Sequence, residues 1–211
     1  MKILYHISTI VMLILMSTSC AYYPHLTGVP LINKKGDTRI EGGLTIAPSA
    51  NASVSYGLTD KITIQAAGTV GGENFAYGFQ GAVGTFKNLP NRKVLELYGG
   101  FGYESFEEKN EYFKHYGNQQ IYFAQLNYGK INGNFDHIDY GWGLKAGYIH
   151  ANEVNWEYRD HNGGILVEPM FFVRFGGEKL KVQTIVGACH VFNKDFDNLP
   201  INFGLGVSYG F

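Results

Sequence analysis

The chain has 211 residues, with 17 Lys plus Arg against 18 Asp plus Glu, so no charge excess argues for a nucleic-acid partner. It carries 28 Gly, 15 Tyr and 15 Phe but only 17% charged residues, whereas a soluble all-β protein covers its outside with Lys and Glu. Two cysteines, Cys20 and Cys189, supply no disulfide framework, although export would permit one.

The first element in chain order is "MKILYHISTIVMLILMSTSC": an early Lys2, an apolar stretch from Ile7 to Met16, small residues and then Cys20. This is the layout of a secretory signal peptide over residues 1–19, and the apolar run is too short for a spanning helix. The small residues before Cys20 resemble a lipobox, which makes Cys20 the expected lipid-attachment residue. The match departs from that pattern at Ser17, where an aliphatic residue is usual. Residues 20–37 are then a lipid-anchored periplasmic segment, and residues 38–211 one further domain.

From Thr38 onward, apolar and small polar residues alternate with a period of two. Ile40, Leu44 and Ile46 open the pattern; Ala52, Val54 and Tyr56 continue it to a turn at "GLTDK". Ile62, Ile64, Ala66 and Val70 follow, then Phe75, Tyr77, Phe79 and Val83 up to "NLPNRK". Leu95, Leu97, Phe101 and Tyr103 make a fifth segment; Tyr122, Leu126 and Tyr128 make a sixth, less regular because Ile121 and Phe123 share its polar side. Tyr140, Trp142, Leu144 and Tyr148 form the seventh, Ile165, Val167, Phe171 and Val173 the eighth. After "GGEKLK" come Val182, Thr184 and Val186, and the chain ends on "INFGLGVSYGF". Ten strands result, with eight as the lower bound, and no helical segment.

Each strand is near the ~9 to 11 residues that a tilted strand needs to cross a bilayer. Short connections alternate with longer ones, of which "EEKNEYFKHYGN" and "NEVNWEYRDHNG" read as long polar loops. The expected fold is all-β: a single closed antiparallel transmembrane β-barrel in the outer membrane, with both termini on the short-turn, periplasmic side. The competing architecture is a soluble lipocalin-like carrier, which would turn the Phe, Tyr, Leu and Val face inward around a ligand. Its outer face would then be mostly Gly, Ser, Thr, Asn and Gln, a poor covering for a soluble protein. In the membrane barrel that face lines the bore, where Arg39, Lys145, Arg174 and Lys181 are expected to pair with Glu41, Glu96 and Glu168.

The last segment also resembles the carboxy-terminal signal read by the barrel-insertion machinery, with Gly206, Tyr209 and Phe211 filling its pattern. A second resemblance covers most of the chain after Cys20. Tyr23-Pro24, Pro30-Leu31-Ile32, Gly36-Asp37 and the Tyr56-Gly57-Leu58-Thr59-Asp60 turn are similar to a family of small outer-membrane β-barrel lipoproteins of Bacteroidetes-type bacteria. That resemblance implies location and fold and carries no activity with it. It also implies a periplasmic start, since Ala21-Tyr22-Tyr23 lacks the acidic run used for export to the cell surface.

An enzyme is the remaining alternative, either lipid-modifying or a protease, with its site at the extracellular rim. "GVSYG" fits G-x-S-x-G, but too little chain follows Ser208 to supply acid and His partners. His150, Glu153, Asp160 and His161 flank the second long loop and form the one candidate rim site, with spacing that lacks the tight pairs of a zinc centre. No cofactor or metal is expected. Expected partners are membrane lipid, the insertion machinery and a protein or glycan at the long loops, where Trp156 and Tyr158 fall. The function expected from these readings is structural, adhesive or partner-docking, non-enzymatic and without an open pore.

Overall fold

The computed structural model describes residues 28–45, 49–71, 76–109, 114–132, 137–155, 158–192 and 201–211; of residues 106–109, 114–116, 153–155 and 158–162 it describes the backbone. Residues 1–19, expected as a signal peptide, and Cys20, Tyr23-Pro24 and Trp156 lie outside the described residues. All described elements are strands: β1 Thr38–Thr45, β2 Ser49–Gly57, β3 Ile62–Gly71, β4 Ala76–Leu89, β5 Lys93–Lys109, β6 Lys114–Lys130, β7 Ile138–Asn155, β8 Tyr158–Gly176, β9 Leu180–Gly187, β10 His190–Phe192 and β11 Asn202–Gly210.

Each strand pairs antiparallel with its sequence neighbour from β1 to β9, and β11 closes the wall by pairing with β9 on one edge and β1 on the other. The short β10 is a continuation of β9. Gly187 is opposite Met170 and His190 is opposite Val167, so the same register runs through both. The break falls opposite Pro169, whose carbonyl accepts from Ala188 N at 3.0 Å but which has no N–H to return the bond. The barrel therefore has ten strands.

The alternation of side chains fixes which face is which. Leu44 is 66% exposed and Phe171 64%, while Lys145 and Arg174, on the opposite face of their strands, are 0% exposed. The apolar residues form the outer wall and the polar ones line the bore, the reverse of what a soluble carrier requires. The irregular sixth strand is explained by the same geometry: Ile121 and Phe123 face the bore and pack there with Tyr98, Ile149 and Leu166.

The two segments expected as long polar loops are extensions of the wall. The β5–β6 ladder continues to Lys109 opposite Lys114, and the β7–β8 ladder to Asn155 opposite Tyr158. The period-two signal is missing there because a ladder held by backbone hydrogen bonds above the apolar layer needs no greasy face. These four strands have 17 to 19 residues against 8 to 10 in β1, β2 and β3. At ~3.3 Å per residue and a tilt of ~40°, the long side reaches roughly 45 Å and the short side roughly 20–25 Å. One side of the barrel thus rises well above an apolar band ~25 Å tall.

The opposite rim is built from tight turns. Thr59 Oγ1 accepts from the backbone N–H of Lys61 and Ile62, closing β2 to β3. Asn91 and Arg92 both take left-handed φ values, 62° and 59°, between β4 and β5. At the closing seam Gly43 is opposite Gly206, and a Cβ on Gly206 would lie 2.2 Å from the Gly42 carbonyl oxygen. Gly206→Val is expected to impair closure by about 1–3 kcal/mol of overpacking, read as loss of the fast-migrating unboiled band in SDS electrophoresis.

Candidate functional site

Among the described residues, the bore gathers buried charge. Arg174 on β8 is paired with Glu41 on β1 across the interior, and Ser53 Oγ also lies 3.5 Å from that carboxylate. Lys181 donates to Asp139 Oδ1 at 2.6 Å, with Arg39 3.7 Å from the other oxygen. Lys145 is 3.1 Å from Glu168 and 3.3 Å from Gln80 Oε1. Two of these cations also rest on rings, Arg174 4.5 Å from the Phe172 centroid and Lys145 5.1 Å from that of Phe123. All seven residues expected as bore ion-pair partners are in the bore, though Glu96 has a different role. Its carboxylate accepts from Ile32 N at 2.7 Å, Asn127 Nδ2 at 3.0 Å and Tyr98 Oη at 3.2 Å. Asp139 was not legible as a partner, although it stands in phase with Gly141 and Gly143 on the bore face of β7.

The Ile32 contact exposes a feature the sequence did not reveal. Residues 28–33, read from the sequence as periplasmic, lie inside the bore. Val29, Leu31 and Ile32 are fully buried against Phe86, Val94, Met170, Phe172 and Ile185. Four wall side chains bond the backbone of this segment: Gln65 to the Gly28 carbonyl at 3.1 Å, Arg174 to that of Val29, Asn88 to that of Asn33 at 2.7 Å, and Glu96 to the Ile32 amide. The chain then turns at Lys34–Asp37, with Asp37 Oδ2 accepting from Asn33 N at 3.1 Å, and starts β1 at the tight-turn rim.

Room for the segment comes from glycine. A Cβ on Gly129 would meet Leu31 Cδ1 at 2.7 Å, one on Gly143 would meet Val29 Cγ2 at 3.1 Å, and one on Gly28 would fall on the Glu41 carboxylate. Leu31 itself has φ 56°, a left-handed conformation that costs a non-glycine residue on the order of 1 kcal/mol and is held by the packing around it. Above the segment a second apolar layer crosses the bore, with Tyr98, Phe123, Ile149 and Leu166 all buried. Polar and apolar side chains together fill the bore at the levels described.

At the far rim His150 is opposite Gly163, Asn152 opposite His161, and Glu153 opposite Asp160. Strand alternation puts the two histidine positions on one face of this ladder and the two acid positions on the other. The side chains of Glu153, Asp160 and His161 lie outside the described residues. At the end of the wall, Tyr209 and Phe211 stack edge to face at 4.7 Å on the outer surface, and Gly206 is part of the closing seam.

No family model and no curated protein matches the sequence. Among solved structures, the chain is similar to the outer-membrane protease OmpT from Escherichia coli, with TM-score 0.60 and 12% identity over 83% of this chain and 93% of that one. The fold is that of the outer-membrane β-barrels. Weaker likenesses are to the N-terminal β-barrel domain of Pseudomonas aeruginosa OprF (TM-score 0.39, 14% identity, 84% of this chain and 98% of that one) and to the KdgM porin (0.38, 9%, 83% and 99%).

A buried pair that loses one partner leaves an uncompensated charge. Arg174→Met is therefore expected to destabilise the folded barrel by about 3–5 kcal/mol, read as a lower urea midpoint of tryptophan fluorescence. Arg174→Met with Glu41→Leu should recover part of that loss.

Proposed function

We propose that the protein is an outer-membrane lipoprotein whose barrel is closed to solutes and serves to hold the β5–β8 extensions as a docking platform outside the membrane. The observation that carries this reading is the filled bore, with Val29, Leu31 and Ile32 fully buried in it. The outer wall supports the location: residues such as Val83, Phe171 and Leu205 form an exposed apolar belt that lipid would cover. Cys20 would carry the lipid, and Gly206, Tyr209 and Phe211 would be read by the insertion machinery. The tight-turn rim, where β1 begins and β11 ends, would face the periplasm. The likeness to OmpT is one of fold and brings no activity to this chain.

Planar-bilayer recordings test the closed state. The mature chain is expected to give no steady channels at neutral pH, and lasting unit conductances would overturn the reading. The extensions should also be dispensable for folding, because they lie beyond the apolar band. Replacing residues 107–116 with a two-residue turn is expected to leave the heat-dependent SDS mobility shift unchanged.

A further inference from the structure

On the tall side of the wall, the outward residues change character at one level. Along β6 they run Tyr128, Leu126, Ala124 and Tyr122 and then become Gln120 and Asn118; along β7 they run Leu144, Ala146 and Tyr148 and then become His150 and Asn152. The ladders set these residues in rows. Phe101, Tyr122, Tyr148 and Ile165 stand opposite one another in the last apolar row, Tyr103, Gln120, His150 and Gly163 in the next, and Ser105, Asn118 and Asn152 in the one beyond. Tyr122 and Tyr148 are exposed, and Phe101 lies 5.2 Å from the Tyr122 ring, so the last apolar row is an aromatic edge of the kind found at the headgroup level. Rows two residues apart rise by about 5 Å at ~3.3 Å per residue and a tilt of ~40°. The two polar rows therefore cross the headgroup layer, which adds roughly 5–8 Å to each side of the hydrocarbon core.

The chemistry of these rows is selective. Among their described side chains there is no Lys, Arg, Asp or Glu, although a face bathed in water is ordinarily covered by them and a phosphate seat would need Lys or Arg. Glu104, level with these rows on β5, is on the bore phase and fully buried. What the rows offer instead is planar amides, each with two N–H donors and a carbonyl acceptor, beside aromatic rings. Asn152 Nδ2 donates to Asn118 Oδ1 at 3.2 Å, which holds that pair in place, and the Gln120 side chain in the row nearer the membrane bonds no other described residue. A Cβ on Gly163 would collide with the Tyr148 hydroxyl. This glycine thus lets Tyr148 lean across β8 and carry its Oη up into the first polar row, beside His150. Neighbouring amides and a hydroxyl above an aromatic edge match the vicinal hydroxyls and the apolar ring face of a pyranose.

We propose that Tyr103, Asn118, Gln120, Tyr148 and Asn152 form a seat for the uncharged sugar headgroup of a glycolipid whose acyl chains descend past Ala124 and Ala146. These two alanines are opposite each other directly below the aromatic edge. The inference rests on the membrane-barrel reading above and names what the lower part of the β5–β8 extensions touches. It gives the platform a lipid partner in the leaflet from which it rises.

A single reporter reads the seat. Ile165, opposite Tyr148 on the aromatic edge, is 58% exposed, and the chain has 2 Trp, so the full barrel with Ile165→Trp, Trp142→Phe and Trp156→Phe carries one emitter there. It is reconstituted in vesicles containing acyl-chain-brominated glucosyl diacylglycerol, phosphatidylcholine or phosphatidylglycerol with the same chains, and quenching gives their relative affinities. The glucosyl lipid is expected to be preferred over both phospholipids at least about fivefold, as much as one net hydrogen bond supplies. Because no charge is involved, the preference should be the same in low and high salt. Adding Asn118→Ala, Gln120→Ala and Asn152→Ala should abolish the preference while the heat-dependent mobility shift stays, which shows that the variant folds. Gln120→Ala alone, which removes no described bond within the barrel, should lower it at least about twofold. Equal quenching by the three lipids, a preference for phosphatidylglycerol, a preference that salt removes, or one that both variants keep overturns the seat but leaves the barrel reading standing. Quenching by none of the lipids overturns both. Methyl glucoside equimolar with the glycolipid should leave the preference intact; its loss would make the patch a free-sugar site and overturn the lipid assignment.

Discussion

Backbone N–H and C=O groups in the apolar layer of a membrane have no water to bond, and most features of this chain follow from that. Its strands must therefore satisfy one another, and a sheet can do so only by closing. Closure here is made by β11, which joins β9 to β1. Once the wall is closed, its apolar face is turned outward and its polar face is confined to a narrow bore. The inversion of the molecule, with Leu44 and Phe171 outside and Lys145 and Arg174 inside, is the direct result.

Confinement then dictates the chemistry of the interior. A lysine or arginine held away from water requires a carboxylate close by; Lys145–Glu168 meets that demand between neighbouring strands, Lys181–Asp139 and Arg174–Glu41 between strands that are not neighbours. Because such pairs depend on geometry, they also tie strands of the wall to one another, Lys145–Glu168 within the β7–β8 ladder and Arg174–Glu41 from β8 to β1 over the seam strands. The segment 28–33 belongs to the same network: its backbone groups are bonded by Gln65, Arg174, Glu96 and Asn88, while its apolar side chains occupy space left by Gly129 and Gly143. The chain's own segment thus takes the place that water would hold in an open channel.

The two ends of the barrel differ for physical reasons as well. At the tight-turn rim the chain reverses within a few residues, using Thr59 and the left-handed Asn91 and Arg92. At the other end β5 to β8 keep their ladders well past the apolar layer, where side-chain alternation is no longer enforced.

The sequence alone determined the wall. Period-two alternation in segments such as Tyr140 to Tyr148 is a local property, imposed by the two faces of a strand and their two environments, so it can be read without knowing the neighbours. The presence of paired charge inside was legible for the same reason, since Arg174 and Glu41 fall on the polar phase of their strands. The tertiary structure decided the partners, because which acid meets which base depends on closure and register. Asp139 rather than Glu96 takes Lys181, and Glu96 is given to the Ile32 amide. It also decided the fate of residues 28–33, which are too few and too irregular to show a period, and the continuation of β5 to β8, which carries no apolar face to reveal it. The first depends on contacts with residues far apart in sequence, such as Glu96 and Arg174, which come together only once the barrel has closed; the second is carried by backbone pairing, to which side chains need contribute no pattern.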